Sequence, residues 1–141
     1  MRILIVGATG KFGARLIPAL IASSHTPVAF VRNRAKLESM LPASLQANLT
    51  IVTGDAESIS DVKDALVDNK CDGLVCCAGA PSAMSGPNKN IQSRQGIISK
   101  QVISAAVQAG QETGTVIRGW WVSGFALMDE PGRGGRVFAD E

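Results

Sequence analysis

Met1–Arg15, MRILIVGATGKFGAR, opens the chain with a short apolar run, three glycines at three-residue spacing, and the start of a helical pattern. Arg2–Val6 is rich in β-branched residues and reads as a buried strand. Leu16, Ile17, Leu20 and Ile21 then recur at helical spacing, predicting a helix over Lys11–Ala22 that Pro18 is expected to bend. Strand, glycine turn, helix is the context in which such a motif acquires a physical meaning. Gly7 lets the chain turn off the strand, Gly10 has no Cβ to hold an anion away from the backbone, and Gly13 lets helix and strand pack closely. The first amides of the helix, with its positive dipole end, then suit a phosphate or pyrophosphate. Thr9, Lys11 and Phe12 belong to the same turn and are candidate contacts.

The rest of the chain repeats the alternation. Strands are predicted at Pro27–Val31, Leu49–Val52, Gly73–Cys77 and Val116–Val122. Helices are predicted near Ala35–Leu41, from an N-cap at Ser58 through Val67, and over Ile91–Ala109. The apolar fourth strand fits a position buried on both faces of a parallel sheet. The expected fold is therefore α/β, a doubly wound parallel sheet of the Rossmann type. Its predicted strand order is 3-2-1-4-5, with helices on both faces and a ligand crevice at the carboxyl ends of strands 1 and 4. Residues 1–141 read as one domain. Gly79–Asn90 reads as a turn-rich loop, and 124–141 as a glycine-rich, charged loop or tail.

Composition narrows the partners. Charged residues are 18% and apolar residues 45% of the chain, as in a globular protein rather than a disordered one. The net charge of +2, without a dense basic run, argues against nucleic acid as the main partner. No apolar run reaches membrane-spanning length, so no membrane partner is expected. Cys71, Cys76 and Cys77 are three in number and contain no C-x-x-C pair, which predicts buried free thiols in a reducing, cytoplasmic setting. His25, the single histidine, falls in a polar turn, so no metal site is expected. Oligomeric state is left open.

At the end of the second strand, about 20 residues past the glycines, an NAD-preferring site places an acid to hold the ribose 2′-hydroxyl. Here Arg32 stands there, followed by Arg34 and Lys36, with no acid before Glu38. A guanidinium repels nothing in a 2′-phosphate and can grip it bidentately, so NADP(H) is expected over NAD(H). Asp55-Ala56, after the third strand, and Cys77-Ala78-Gly79, closing the fourth, are the remaining candidate cofactor contacts.

GATGKFG resembles the turn of the short-chain dehydrogenase/reductase superfamily in its extended and atypical branches. Val122–Asp129, VSGFALMD, is similar to the corresponding stretch of the biliverdin reductase B family, with Ser123, Phe125, Leu127 and Asp129 matching, and NmrA-like proteins share these motifs. The resemblance implies an NADPH-dependent reductase acting on a planar small-molecule acceptor, such as a flavin, a quinone or a polyketide-like ketone. It also implies a place for Ser123 beside the nicotinamide. The chain departs from the superfamily in having no tyrosine, which removes the usual Tyr-x-x-x-Lys proton donor. The segments that wall a substrate pocket after strand five are also expected to be missing. A non-catalytic NADP-binding module is the alternative. Trp120 and Trp121 are expected on opposite faces of the fifth strand, filling core and interface, and Lys100 is expected at the surface.

Overall fold

The computed structural model describes residues 1–78 and 89–122, with side chains of the last helix described from Gly96 onward. Five parallel strands run β1 (Arg2–Val6), β2 (Thr26–Val31), β3 (Thr50–Thr53), β4 (Gly73–Cys76) and β5 (Arg118–Trp121). They pair in the order β3-β2-β1-β4-β5. Between them lie α1 (Lys11–Ala22), α2 (Arg34–Met40), a single turn α3 (Ala43–Gln46), α4 (Ile59–Asp68) and α5 (Lys89–Thr113). The expected architecture is the observed one. Boundaries shift by one or two residues at most ends, while α5 extends beyond its predicted span at both ends. Helix α3 was not predicted, and α1 runs through Pro18 to Ala22.

Each face of the sheet has its own core. Leu4, Val6, Val28, Leu74 and Cys76 pack with Val62 and Leu66 of α4 and Val102 and Ala105 of α5. Ile5, Ala29 and Val31 pack on the other side with Ile17 of α1 and Leu37 of α2. The alternation of side chains along each strand divides them between the two faces. All four β4 residues are buried, as its apolar sequence predicts. Leu74, fully buried, sits at the centre of the α4/α5 side. Leu74→Ala should cost about 2–5 kcal/mol through lost burial and a cavity. A urea midpoint that falls at unchanged slope would record it.

β5 departs from expectation. All four of its residues are exposed. Trp120 and Trp121 retain 47% and 38% of their accessible surface, so they do not fill the core. They do lie on opposite faces. Trp120 approaches Gly73 of β4, while Trp121 joins α5 residues in lining a groove. Lys100 is exposed as expected. Among the described residues no helix is long and apolar enough to cross a membrane.

Candidate functional site

The carboxyl ends of β1, β2, β3 and β4 converge on a cavity of about 390 Å³. Val6, Gly7, Thr9 and Gly10 form one wall, Cys77 and Ala78 the wall after β4, Arg32 and Lys36 the rim after β2, and Gly54–Glu57 the rim after β3. Phe30, Val31 and Ile98 complete the lining.

The glycine turn is built by hard contacts. Gly7 adopts φ +89°, and a Cβ there would stand 2.6 Å from the Ala78 nitrogen. Only glycine allows β1 to turn this tightly against the end of β4. The Gly10 amide donates to the Gly7 carbonyl at 3.0 Å, closing the turn. A Cβ on Gly13 would meet the Gly7 oxygen at 2.5 Å and the Ala8 Cα at 2.8 Å, so Gly13 is the packing point of helix on strand. Gly10 differs. A Cβ there would meet only the Gly7 oxygen, at 3.2 Å, and Gly10 itself lines the cavity.

Capping sharpens the contrast. Asn33 caps α2 by accepting from the Lys36 amide, and Ser58 caps α4 by accepting from the Asp61 amide. Helix α1, which begins at the cavity, has no side-chain cap and no acid in its first turn. From Gly10, which lines the cavity, α1 thus starts with no competing side-chain acceptor on its first amides, an arrangement that suits a pyrophosphate.

The candidate residues separate into two groups. Gly7, Thr9, Gly10, Arg32, Lys36, Asp55, Ala56, Cys77 and Ala78 are brought together around the cavity. Arg34 is directed elsewhere: its Nε donates to Glu38 Oε1 at 2.8 Å, an i,i+4 pair along α2. Lys11 and Phe12 occupy the exposed first turn of α1, Phe12 half-exposed, and Gly13 is buried beneath them. Gly79 and Ser123 lie outside the described residues.

Around Asp55 the loop is held by carboxylates. Asp55 Oδ1 accepts from the Glu57 amide, and Asp61 Oδ2 accepts from the Asp55 amide, both at 3.0 Å. That backbone bond, aided by the Ser58 hydroxyl, lowers the Asp61 pKa below its ordinary value. Gly54 sits against the Phe30 ring, where a Cβ would come within 2.6 Å of Cζ. Burial pushes the Cys77 thiol up to about 11, with the neighbouring Cys76 adding to the effect. At neutral pH it is a protonated wall of the cavity rather than a nucleophile. Among the described residues no group of three His, Cys, Asp or Glu side chains could hold a metal ion.

Val6, Phe30, Val31, Glu57 and Ile98 line the cavity in addition to the candidate residues. Phe30 carried a signal, as the penultimate residue of β2 two positions before Arg32. Ile98 reaches the cavity from α5, far away in sequence.

Residues 7–137 match the family described as NAD(P)H-binding. No curated protein matches the sequence. Among solved structures, the chain is similar to a UDP-N-acetylglucosamine 4-epimerase from Bacillus cereus at 14% identity and TM-score 0.69, over 93% of this chain and 41% of that one. It is similar to ChuY, an anaerobillin reductase from Escherichia coli O157:H7, at 22% identity and TM-score 0.65, over 89% and 52%. It is also similar to a serine dehydrogenase from Escherichia coli at 21% identity and TM-score 0.66, over 84% and 61%. The chain spans less than two thirds of each of these proteins, and at these identities the likeness concerns the fold.

Proposed function

The chain belongs to the NAD(P)H-binding family, and from that premise we propose that it is an NADP(H)-dependent oxidoreductase of the atypical short-chain type, reducing a planar acceptor such as a flavin, a quinone or a polyketide-like ketone. The observation that carries the cofactor choice is the placing of Arg32 and Lys36, with no acid between them, on the β2 rim of the cavity. In this reading the α1 amides and Gly10 hold the pyrophosphate, Arg32 and Lys36 the 2′-phosphate, and Asp55 the adenine amine. Phe30, Ala56 and Ile98 supply apolar surface for the adenine ring. Ala78 and Gly79 let the backbone run along the second ribose. A bound nicotinamide supplies a hydride for two-electron reduction, while the chain orients it and Ser123 offers a polar contact beside it. Titration with NADPH and NADH, by quenching or calorimetry, tests the cofactor assignment.

The absence of tyrosine favours a second reading, a binding module without turnover. Serine is a weak acid without a base to assist it, and positioning of the acceptor supplies much of the rate in such enzymes. For the 141-residue chain alone we expect NADPH binding with oxidation slower than about 1 s⁻¹ on FMN and a quinone panel. Turnover at or above that rate, lost in Ser123→Ala, would establish the chain as a working reductase by itself.

A further inference from the structure

The loop after β3 is held by a residue that does not itself line the cavity. We propose that Asp61 is a positioning residue for the cofactor site, its carboxylate fixing the Gly54–Glu57 loop so that Asp55 meets the adenine end of the dinucleotide. This role rests on the cofactor reading given above and adds to it a residue outside the cavity wall.

Ser58–Asp61, SISD, has the pattern of a capping box, in which the acid at the third helical position reaches back to the amide of the cap residue. Half of that box is present: the Asp61 amide donates to Ser58 Oγ at 3.3 Å. The other half is redirected. The Ser58 amide already donates to the Asp55 carbonyl at 3.0 Å. Asp61 Oδ2 accepts instead from the Asp55 amide, three residues before the cap, at 3.0 Å. The Ser58 hydroxyl donates to Asp61 Oδ1 at 2.7 Å and so orients the carboxylate. A local device for starting a helix thereby reaches into the neighbouring loop.

That loop is cavity wall along its whole length, from Gly54 to Glu57. The Gly54 amide donates to the Val31 carbonyl and the Glu57 amide to Asp55 Oδ1, both at 3.0 Å. With Oδ1 engaged, Oδ2 is the Asp55 oxygen left to accept from a ligand's amine. A Cβ on Gly54 would come within 2.6 Å of the Phe30 ring and 3.2 Å of Asp61 Cβ, so the loop lies against both. A cap alone would stabilise α4 and affect every cofactor alike, whereas a positioning role predicts a change confined to recognition of the base.

The measurement is the ratio of affinities for NADPH and its hypoxanthine analogue, in which a 6-oxo group replaces the amine and cannot donate to Asp55. The wild-type chain should favour NADPH about ten-fold or more. Asp61 is solvent-exposed, so Asp61→Ala should remain folded. It should cut the base ratio at least about three-fold, while the NADPH-to-NADH ratio, set on the β2 rim, stays within about a factor of two. Asp61→Asn keeps an acceptor for the Asp55 amide and should retain the base ratio. Ser58→Ala uncaps α4 but leaves Asp61 on the Asp55 amide, so it should lower the urea midpoint and keep most of the ratio. In the cofactor-free chain the Asp55 amide should exchange with solvent faster in Asp61→Ala than in wild type. A wild-type base ratio near one, an unchanged ratio in folded Asp61→Ala, or an equal loss in Ser58→Ala overturns the proposal and leaves NADP(H) binding standing. A wild-type chain that binds neither NADPH nor NADH overturns the cofactor reading, and the proposal with it.

Discussion

Gly10→Val should leave a folded protein that no longer binds NADPH, whereas Gly7→Ala should fail to fold stably. The two glycines share one turn but do different work. At Gly7 the backbone has φ +89°, and an added methyl meets Ala78 N, Ala78 Cα and the Cys77 carbonyl carbon between 2.6 and 2.8 Å. Those atoms belong to the backbone after β4, which is anchored to β1 by the Cys77 amide donating to the Val6 carbonyl at 2.8 Å, so they cannot step aside. Strained φ costs about 1–3 kcal/mol and overpacking about 1–3 more. That is a large part of the roughly 5–15 kcal/mol that holds a domain together. At Gly10, φ is −77° and ψ 162°, an extended conformation open to any residue. An added Cβ meets one carbonyl oxygen at 3.2 Å. The branched side chain at 10 would instead fill the approach to the α1 amides. Circular dichroism, urea unfolding and NADPH titration of both variants check this. Retained NADPH affinity in folded Gly10→Val would show that the turn is structural only.

What was legible in the sequence follows the range of each interaction. β1, the glycine turn and α1 are set by neighbours within a few residues, and α1 has the predicted span of Lys11–Ala22. The Ser58 cap is equally local and stands where its sequence puts it. α3 was missed because one turn after Pro42 shows no periodicity to detect. The basic run groups Arg34 with Arg32, but Glu38, four residues on, offers Arg34 a partner once a helix starts at Arg34. The alternation of a strand puts Trp120 and Trp121 on opposite faces, as observed, but their size and apolarity point to core and interface while the structure leaves both substantially exposed. Whether anything covers β5 is decided by chain or partner surfaces beyond it, which no local pattern encodes. Ile98 and Glu57 join the cavity only through the crossing of α5 and the loop after β3 over the sheet ends.

Arg32→Ala should weaken NADPH binding about ten- to a hundred-fold and leave NADH within a factor of about two. A charge-assisted hydrogen bond contributes about 1.5–3 kcal/mol, and each 1.4 kcal/mol is a factor of ten in affinity. NADH has no 2′-phosphate for the guanidinium to hold, so its loss should go unnoticed there. Arg34 supplies the internal control. It lies two residues away with the same charge, but its guanidinium is engaged by Glu38, and Arg34→Ala should change NADPH affinity by less than Arg32→Ala does. Lys36 is a point charge on the same rim, and Lys36→Ala should fall between the two. Because this rim is exposed, the NADPH advantage should shrink as salt rises past about 0.1 M, where the screening length is about 10 Å. Arg32→Asp should go further and favour NADH, since a carboxylate repels the phosphate and accepts from a ribose hydroxyl. Equal affinity of the wild-type chain for the two cofactors, or equal losses in Arg32→Ala and Arg34→Ala, would mean that the basic rim is a solvated turn and that the cavity selects its cofactor by other contacts.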